Sequence, residues 1–370
     1  MPHLDRQPAN NRILILSHYF QPHLGGVEKH VQKTSLILAQ KGYDLTILTK
    51  LYQPDLPVEE EISCHSETNE QFLHPIKIKR FEIKPFRIIG LLLIWWNLIK
   101  NYRTLVKKAD KVIIHDVFIW YFPFVFLFPN KTVITVMHGW EGQFPIPRKN
   151  RWLKQLAARF STRVLAIGRY IEKYYRIKAD LVAHGGVEPT NPHQLWADKM
   201  TNYRLRFYYL GRLAADTGLP MLLDSLGQIK QNYPEVFAKL EIEFIGDGHS
   251  QWRQKCNSIG KVIGWVKEAE VKDRLRSAHF CFAGGYLSAL EAMAQGCVVL
   301  AAGKNPLKQD YWLLSDLNGP VKVAIAPDEL VSWIREYSQE EADRFTQGKR
   351  AQVLANKFGW EQIANQYAHW

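Results

Sequence analysis

RILILSHYFQPHLGGVEKHVQKTSLILAQKGYDLTILT, residues 12–49, is the stretch that decides the fold. RILILS is continuously apolar, as strands buried in parallel sheets are. A loop with Gly25 and Gly26 follows, and then apolar residues recur with helical period from Val27 to about Lys41, with Gly42 at a C-cap position. DLTILT is a second strand candidate. Strand, glycine loop, helix and strand in this order predict a βαβ unit, and hence a parallel sheet with a right-handed crossover.

The same alternation continues along the chain and restarts after a stretch rich in proline and polar residues at 187–203. We therefore predict an α/β protein of two Rossmann-like halves that face each other across a cleft, with ligands at the carboxyl ends of strands. Further strands are expected at 111–116, 132–138, 163–168, 179–186, 206–213 and 241–246, in KVIGWV and in HFCFAG, with a helix at 218–231.

Composition is typical of a globular protein, with 46% hydrophobic and 23% charged residues in a chain of 370. The four cysteines have no paired spacing, which indicates a reduced cytosolic protein without disulfides or a zinc site. The polar N-terminus predicts no secretory signal. The longest apolar run, IIGLLLIWWNLI at 88–99, falls short of the roughly 18 residues of a membrane span and is interpreted as a buried helix, with a membrane contact as the alternative.

The net charge of +12 belongs almost entirely to one half of the chain. Residues 1–199 hold 28 basic against 17 acidic side chains, a net +11, with basic clusters at 77–111 and 148–178. An anionic acceptor or an anionic membrane surface would dock there. Nucleic acid would also be attracted, but no recognised binding motif accompanies the charge, so none is expected as a partner.

Candidate ligand contacts in the first half follow strands. Gly25 and Gly26 allow close approach of an anion to a helix N-terminus, although a tight loop without a ligand is an equal alternative. Because no G-x-G-x-x-G follows a strand, a nicotinamide-dependent oxidoreductase is disfavoured. His138 and Glu141 follow the strand TVITVMH and suit a sugar hydroxyl or a phosphate, with a structural histidine as the alternative.

The second half offers an arginine and several glycine loops after its strands. Arg212 follows Gly211 and suits bidentate contact with a diphosphate, and Gly246 leaves room for a flat ring or a ribose. If HFCFA is a strand, a helix begins near Ser288, on the same face as Glu291. The helix dipole would favour that carboxylate, which could accept hydrogen bonds from vicinal hydroxyls. The alternative is a glutamate paired with a neighbouring arginine.

Six motifs occur in an order that resembles one family. They are GGVE, MHG, GRL, IGDG, SALEAMAQG and FGWEQIANQY, and the motifs themselves run from residue 25 to residue 367 within a resemblance that spans about residues 12–367. The set resembles the GT-B-fold family-4 glycosyltransferases, retaining enzymes that use nucleotide-activated sugars. The resemblance implies that Glu291, with Ser288 beside it, binds the ribose, and that His138 contacts the donor sugar. It implies that Arg212 binds the diphosphate together with Gly211, Gly25 and Gly26. The loops at Gly246 and Gly264 would then surround the base.

Two positions depart from the family pattern. The family has a second glutamate eight residues before the one matching Glu291, where this chain has Ala283. It also has a lysine where this chain has Thr217. Both losses remove charge expected at the donor. The diphosphate would then depend on Arg212, on backbone N–H groups such as those of the loop at 284–285 (Gly284 and Gly285), or on a substitute such as Lys304.

The resemblance therefore implies a glycosyltransferase that moves a sugar from a nucleotide-sugar donor to a saccharide or lipid-linked acceptor, in envelope polysaccharide or glycolipid synthesis. His138 and Arg212 are the candidate catalytic residues. No D-x-D pair is present, so neither a metal nor a cofactor beyond the donor substrate is expected. The alternative, motivated by Ala283 and Thr217, is a catalytically weak or inactive relative that binds a nucleotide sugar or a saccharide.

We expect a cytoplasmic protein, peripheral on the inner face of the cytoplasmic membrane. The predicted divisions are a flexible N-terminus at 1–11, an acceptor domain at 12–190, a linker at 191–203, a nucleotide-sugar domain at 204–355 and a helix at 356–370 that returns to the first domain.

Overall fold

The structure, a computed structural model, describes residues 11–63, 75–83, 88–139, 142–190, 199 and 204–370. The predicted flexible N-terminus and linker lie almost wholly outside these residues. The chain divides into two compact units. Unit 1 comprises residues 1–167, 171–183 and 360–370, and unit 2 comprises residues 168–170 and 184–359. Each unit is an α/β layer structure built on a mainly parallel sheet, which confirms the predicted fold class.

Unit 1 contains an eight-stranded sheet in the order β3-β4-β2-β1-β5-β6-β7-β8. Its central strands are buried along nearly their whole length, as their continuous apolar sequences predict. The last strand is shorter than expected at both ends and stops two residues before Gly185, whose φ is +101°. The strands are β1 (Arg12–Ser17), β2 (Asp44–Lys50), β3 (Glu59–Ile62), β4 (Ile76–Phe81), β5 (Lys111–His115), β6 (Thr132–Met137), β7 (Arg163–Ile167) and β8 (Leu181–Ala183).

The acidic tract at 59–61, which has no strand signature in the sequence, forms the edge strand β3. It pairs antiparallel with β4, whereas every other strand pair of the two sheets is parallel in the described part of the chain. Basic residues of β4 compensate its charge. Glu59 Oε1 lies 2.5 Å from Lys79 Nζ, and Glu60 Oε2 lies 2.7 Å from the guanidinium of the buried Arg80.

The helices of unit 1 flank its sheet. The apolar segment at 88–99 is helical, but the prediction that it is buried is wrong, because Leu92 is 56% and Trp96 61% exposed. Among the described residues, no helix combines the length and the hydropathy that crossing a membrane requires. The helices are α1 (Gly26–Gln40), α2 (Ile88–Lys108), α3 (Phe118–Leu127), α4 (Arg148–Arg159) and α14 (Trp360–His369), and a short helix α5 (Tyr170–Tyr175) follows β7 in the chain.

Unit 2 contains a six-stranded parallel sheet in the order β11-β10-β9-β12-β13-β14. Its strands are β9 (Leu205–Leu210), β10 (Leu240–Ile245), β11 (Lys261–Gly264), β12 (Phe280–Ala283), β13 (Val298–Ala302) and β14 (Val321–Ala324). The helices are α6 (Leu219–Asn232), α7 (Pro234–Phe237), α8 (Ser250–Asn257), α9 (Glu268–Arg276), α10 (Tyr286–Ala294), α11 (Pro306–Leu313), α12 (Pro327–Gln339) and α13 (Glu341–Ala355).

Candidate active site

The carboxyl edge of the unit 2 sheet brings three of the predicted glycine positions together. Gly211 and Gly246 end neighbouring strands, and the backbones meet so closely that a Cβ atom on Gly246 would lie 1.9 Å from Gly211 O. Gly246 N also donates to Gly264 O at 2.8 Å. The positive φ values of Gly211, Gly246 and Gly264 lie in the region that side chains rarely adopt. These glycines are therefore required by the fold itself, whether or not a ligand approaches them.

Arg212 lies directly beyond β9, and its side chain is 64% exposed. Its guanidinium Nη2 lies 2.8 Å from Asp216 Oδ2, so one carboxylate holds it while most of it still faces solvent. The Tyr209 hydroxyl donates to the carbonyl of Arg212 and also contacts Thr217 Oγ1 at 2.8 Å. Tyr209 therefore fixes the loop after β9 by these two hydrogen bonds, and the side chain of Arg212 remains accessible to an anion.

Glu291 lies on α10, which begins at Tyr286, two residues before the predicted start. The carboxylate is thus on the sixth helical residue, beyond the first turn where the helix dipole acts most strongly, and that part of the prediction is wrong. Glu291 is partly exposed. Ser288 caps the helix, since its Oγ accepts from Gly285 N at 3.1 Å and donates to Gly285 O at 2.8 Å.

The two departures from the family pattern lie in the interior of unit 2. Ala283 is fully buried at the end of β12. Thr217 is 5% exposed, and its hydroxyl donates to Ala214 O at 2.7 Å while it contacts Tyr209. Neither position presents a charged group, so the positive charge on this edge must come from other residues.

Unit 1 has a pocket of about 530 Å³ at the carboxyl ends of β5 and β6. This volume is within the usual range for sites that take small ligands. Three ionisable side chains, those of Asp116, His138 and Lys154, line it among mostly apolar neighbours. Lys154 Nζ lies 3.0 Å from Asp116 Oδ1, and the backbone N–H of His138 donates to the same carboxylate at 3.2 Å. The remaining lining residues are Val27, Phe118, Ile119, Thr135, Met137, Gly139, Asn150, Leu153, Leu156 and Ala157.

The glycine pair of unit 1 lies beside this pocket through Val27, the residue after Gly26. Gly25 is the N-cap of α1 with an extended backbone, and a Cβ atom there would lie 2.3 Å from Glu28 Oε2. At Gly26 the same addition would meet nothing within 4 Å. A side chain at position 25 would therefore have to displace the carboxylate of Glu28, whereas Gly26 leaves open space at the helix start.

Behind His138 lies a cluster of histidines from three elements of unit 1. His115 Nδ1 and His138 Nε2 are 2.8 Å apart, and His30 Nε2 is 2.8 Å from the hydroxyl of Tyr367 on α14. Burial lowers the pKa of His30 to about 3 and that of His115 and His138 well below the ordinary value. All three imidazoles are consequently neutral at pH 7. His138 can offer a hydrogen bond to a substrate, but no charge.

The same three histidines are the group in the described residues whose side chains could hold a metal ion, with one ligand atom from each within 4.8 Å of the others. Two nitrogen ligands on a tetrahedral zinc are about 3.3 Å apart, given Zn–N bonds of about 2.0–2.1 Å. The 2.8 Å separation of His115 and His138 is that of a hydrogen bond instead. Neutral imidazoles that pair with each other and with Tyr367 account for the cluster as it stands.

The structure does not place two of the predicted site residues at the unit 2 edge, in the unit 1 pocket or in the histidine cluster. Glu141 lies outside the described residues, and Lys304 is exposed beyond β13. Sequence patterns also missed four residues that the structure places at the sites, namely His115, Asp116, Lys154 and Lys308. His115 and Asp116 end a predicted strand, so a survey of polar residues at strand ends would have found them. Lys154 and Lys308 lie on helices, where nothing in the sequence separates them from surface lysines.

Comparisons with known proteins agree with this architecture. The model of Glycosyltransferase Family 4 matches residues 24–187. No curated protein matches the chain in sequence. The chain is similar in fold to sucrose-phosphate synthase from Thermosynechococcus elongatus, with 16% identity, a TM-score of 0.75, and coverage of 97% of this chain and 98% of that one.

Two further structures have the same fold. A trehalose-6-phosphate synthase gives a TM-score of 0.72 at 11% identity, over 97% of this chain and 98% of that one. HepE from Anabaena, in complex with UDP and glucose, gives a TM-score of 0.67 at 17% identity, over 96% of this chain and 98% of that one. At such identities the structural matches establish the fold. Together with the family match over residues 24–187, they show a GT-B fold and a similarity to Glycosyltransferase Family 4 in that region.

Proposed function

We propose that the protein transfers a sugar from a nucleotide-sugar donor, bound mainly by unit 2, to a saccharide or lipid-linked acceptor bound by unit 1. The observation that carries this proposal is the carboxyl edge of the unit 2 sheet. There Arg212 is exposed beside glycines whose backbones lie in contact, and Glu291 follows on the helix after β12. In open parallel sheets this edge is where nucleotides bind.

The chemistry consists mainly of stabilising charge on the departing nucleoside diphosphate. Arg212 is the predicted contact to that group, and Glu291 the predicted contact to the ribose hydroxyls. A neutral His138 would hydrogen-bond the donor sugar and orient it without adding charge. The transfer is proposed to retain configuration and to need no metal ion. The resemblance to family 4 supports the retention, and the lack of a D-x-D pair supports metal independence.

The pocket of unit 1 is the candidate acceptor site. Its apolar walls suit an acceptor with an apolar part, and Asp116, Lys154 and His138 supply polar contacts at one region of the wall. A lipid-linked saccharide fits that combination. We place such an acceptor in envelope polysaccharide or glycolipid synthesis, and the protein in the cytoplasm.

Helix α2 supports a peripheral association with the inner face of the cytoplasmic membrane. Five of its exposed side chains lie along one stripe with helical spacing, apolar at Leu92 and Trp96 and basic at Lys100, Arg103 and Lys107. Lys100 Nζ lies 4.7 Å from the Trp96 ring centroid, which joins the two parts of the stripe. Each basic residue near an anionic leaflet contributes about 1 kcal/mol of binding free energy.

A second candidate is a relative that binds a nucleotide sugar or a saccharide and turns it over weakly or not at all. The observation in its favour is the burial of Ala283 and Thr217, which leaves two usual donor contacts without a charged side chain.

The test is transfer from a panel of UDP-, GDP- and ADP-sugars with membrane extract as acceptor, alongside donor binding by calorimetry. We expect turnover with at least one donor. Glu291→Ala should lower nucleotide affinity strongly, whereas Glu336→Ala, an exposed glutamate of α12, should not. Binding without turnover for every donor would favour the second candidate. Failure of the wild type to bind any nucleotide sugar would refute both.

A further inference from the structure

Lys308, on the first turn of α11, is a buried cation at the carboxyl edge of the unit 2 sheet. It is 5% exposed, and its Nζ donates to Gly284 O at 3.2 Å. The ammonium lies 4.0 Å from the Tyr311 ring centroid and 5.5 Å from that of Trp312. An ammonium has three N–H donors. In the described part of the chain, the carbonyl of Gly284 is its one oxygen acceptor.

A buried ammonium with so few acceptors costs free energy that an apolar side chain would not. The opposing charge of Asp216 is close enough to raise its pKa, but burial is the larger effect and lowers the pKa to about 8. The positive charge of Arg212 lowers it further. The backbone geometry agrees, because a Cβ atom on Gly211, the residue before Arg212, would lie 3.4 Å from the Cα of Gly284, whose carbonyl accepts from Lys308. Lysine at this position is therefore unfavourable for the free protein, and a bound anion would remove the penalty.

The other donors proposed for the diphosphate are weaker candidates. The backbone N–H of Gly285 already donates to Ser288 Oγ at 3.1 Å. The N–H of Tyr286, the first residue of α10, donates to the Tyr311 hydroxyl at 2.8 Å. Lys304 is exposed, and among the described residues it has no contact that directs it towards the loop at Gly284 and Gly285.

The segments that follow three adjacent strands of the unit 2 sheet therefore form one candidate anion site. β9 leads to Arg212, β12 leads to the glycine loop, and β13 leads to α11 with Lys308. We propose that Lys308, from α11, contacts the diphosphate of the bound nucleotide together with Arg212, and so supplies the charge that Thr217 does not. This inference rests on the proposed function. With Asp216 included, the site keeps a net charge of about +1 to meet a group of about −2.

The experiment measures binding of UDP, GDP and ADP, and of the matching monophosphate and nucleoside, to the full chain by calorimetry. Lys308→Met should weaken diphosphate binding about tenfold or more, the usual range for losing a hydrogen bond to a charged group, and change nucleoside binding little. Lys308→Arg should recover part of the affinity because it keeps the charge. Lys322→Met, a partly buried lysine on β14 beside Trp333, is the matched control.

A purely structural lysine would behave differently. Lys308→Met should leave the melting temperature unchanged or raise it, because the variant removes a buried charge. A lower melting temperature with unchanged diphosphate affinity would overturn the inference, as would a loss of affinity in Lys304→Met instead. If the wild type binds one diphosphate and Glu291→Ala weakens it while Lys308→Met does not, the inference alone fails. If the wild type binds none, the donor site of the proposed function fails as well.

Discussion

Acidification should destabilise unit 1 through its buried histidines, and His30 allows the effect to be calculated. His30 is 2% exposed, and its ring is packed against His138, Trp360 and Tyr367. Burial lowers its pKa to about 3 from 6.5. Between these two values the unfolded chain binds a proton that the folded chain does not, so stability is present above pH 6.5 and is lost as the pH falls.

The magnitude follows from the pH difference. A pH of 5 lies 1.5 units below the pKa of 6.5 in the unfolded chain, and each unit corresponds to about 1.4 kcal/mol. His30 alone therefore lowers the free energy of unfolding by about 2 kcal/mol between pH 7 and pH 5. The full effect of the pKa shift would be about 5 kcal/mol below pH 3. His115 and His138 add to the slope in the same direction, because burial also lowers their pKa values.

Hydrogen exchange read by mass spectrometry gives the opening free energy of unit 1 separately from unit 2. We expect amides of β5 and β6 to lose about 2 kcal/mol more protection between pH 7 and pH 5 in the wild type than in His30→Gln, after correction for intrinsic exchange. His369→Gln, on an exposed position of α14, controls for the substitution itself. Equal pH slopes in the wild type and His30→Gln would refute the assignment of a neutral buried His30.

Three further predictions concern packing and the membrane. Gly246→Ala should lower the melting temperature by several degrees, since its Cβ would lie 1.9 Å from Gly211 O at a φ of +134°; a melting temperature equal to that of the wild type would contradict the backbone contact. Tyr367→Phe should cost about 1–3 kcal/mol in urea unfolding, because it leaves His30 Nε2 buried without its partner; a cost near zero would mean that the hydrogen bond is absent. In co-sedimentation with vesicles containing anionic lipid, Trp96→Ser should bind more weakly than the wild type, and wild-type binding should fall with added salt. Binding that depends on neither lipid charge nor salt would rule out the membrane contact.

Much of the fold is predictable because its strands are buried on both faces. The continuous apolar runs of β1, β2 and β5 place these strands within a residue or so of their observed bounds, since no other local structure buries so many consecutive side chains. β3 is missed for the opposite reason. Three glutamates have low strand propensity, and only pairing with the basic residues of β4, a tertiary effect, makes that segment extended.

The candidate site is predictable only where the backbone dictates it. Gly211 and Gly246 stand out in the sequence because few other residues tolerate their conformation. Lys308 has no such signature, because its burial depends on Tyr311, Trp312 and the loop after β12 packing around it. The exposure of α2 likewise cannot be predicted from its composition, because a high apolar content does not distinguish a helix that faces solvent from one that faces a core.

The packing of α14 on α1 has a consequence for the order in which the protein forms. Tyr367 completes the polar contacts of His30, and Lys111 Nζ donates to the carbonyl of Tyr367 at 3.2 Å. Unit 1 therefore needs residues 360–369, which the ribosome adds only after the 176 residues of 184–359. At 5–20 residues per second this interval is about 9–35 s. During that time the apolar face of α1 awaits its partner, so unit 1 cannot complete its packing until unit 2 has been translated.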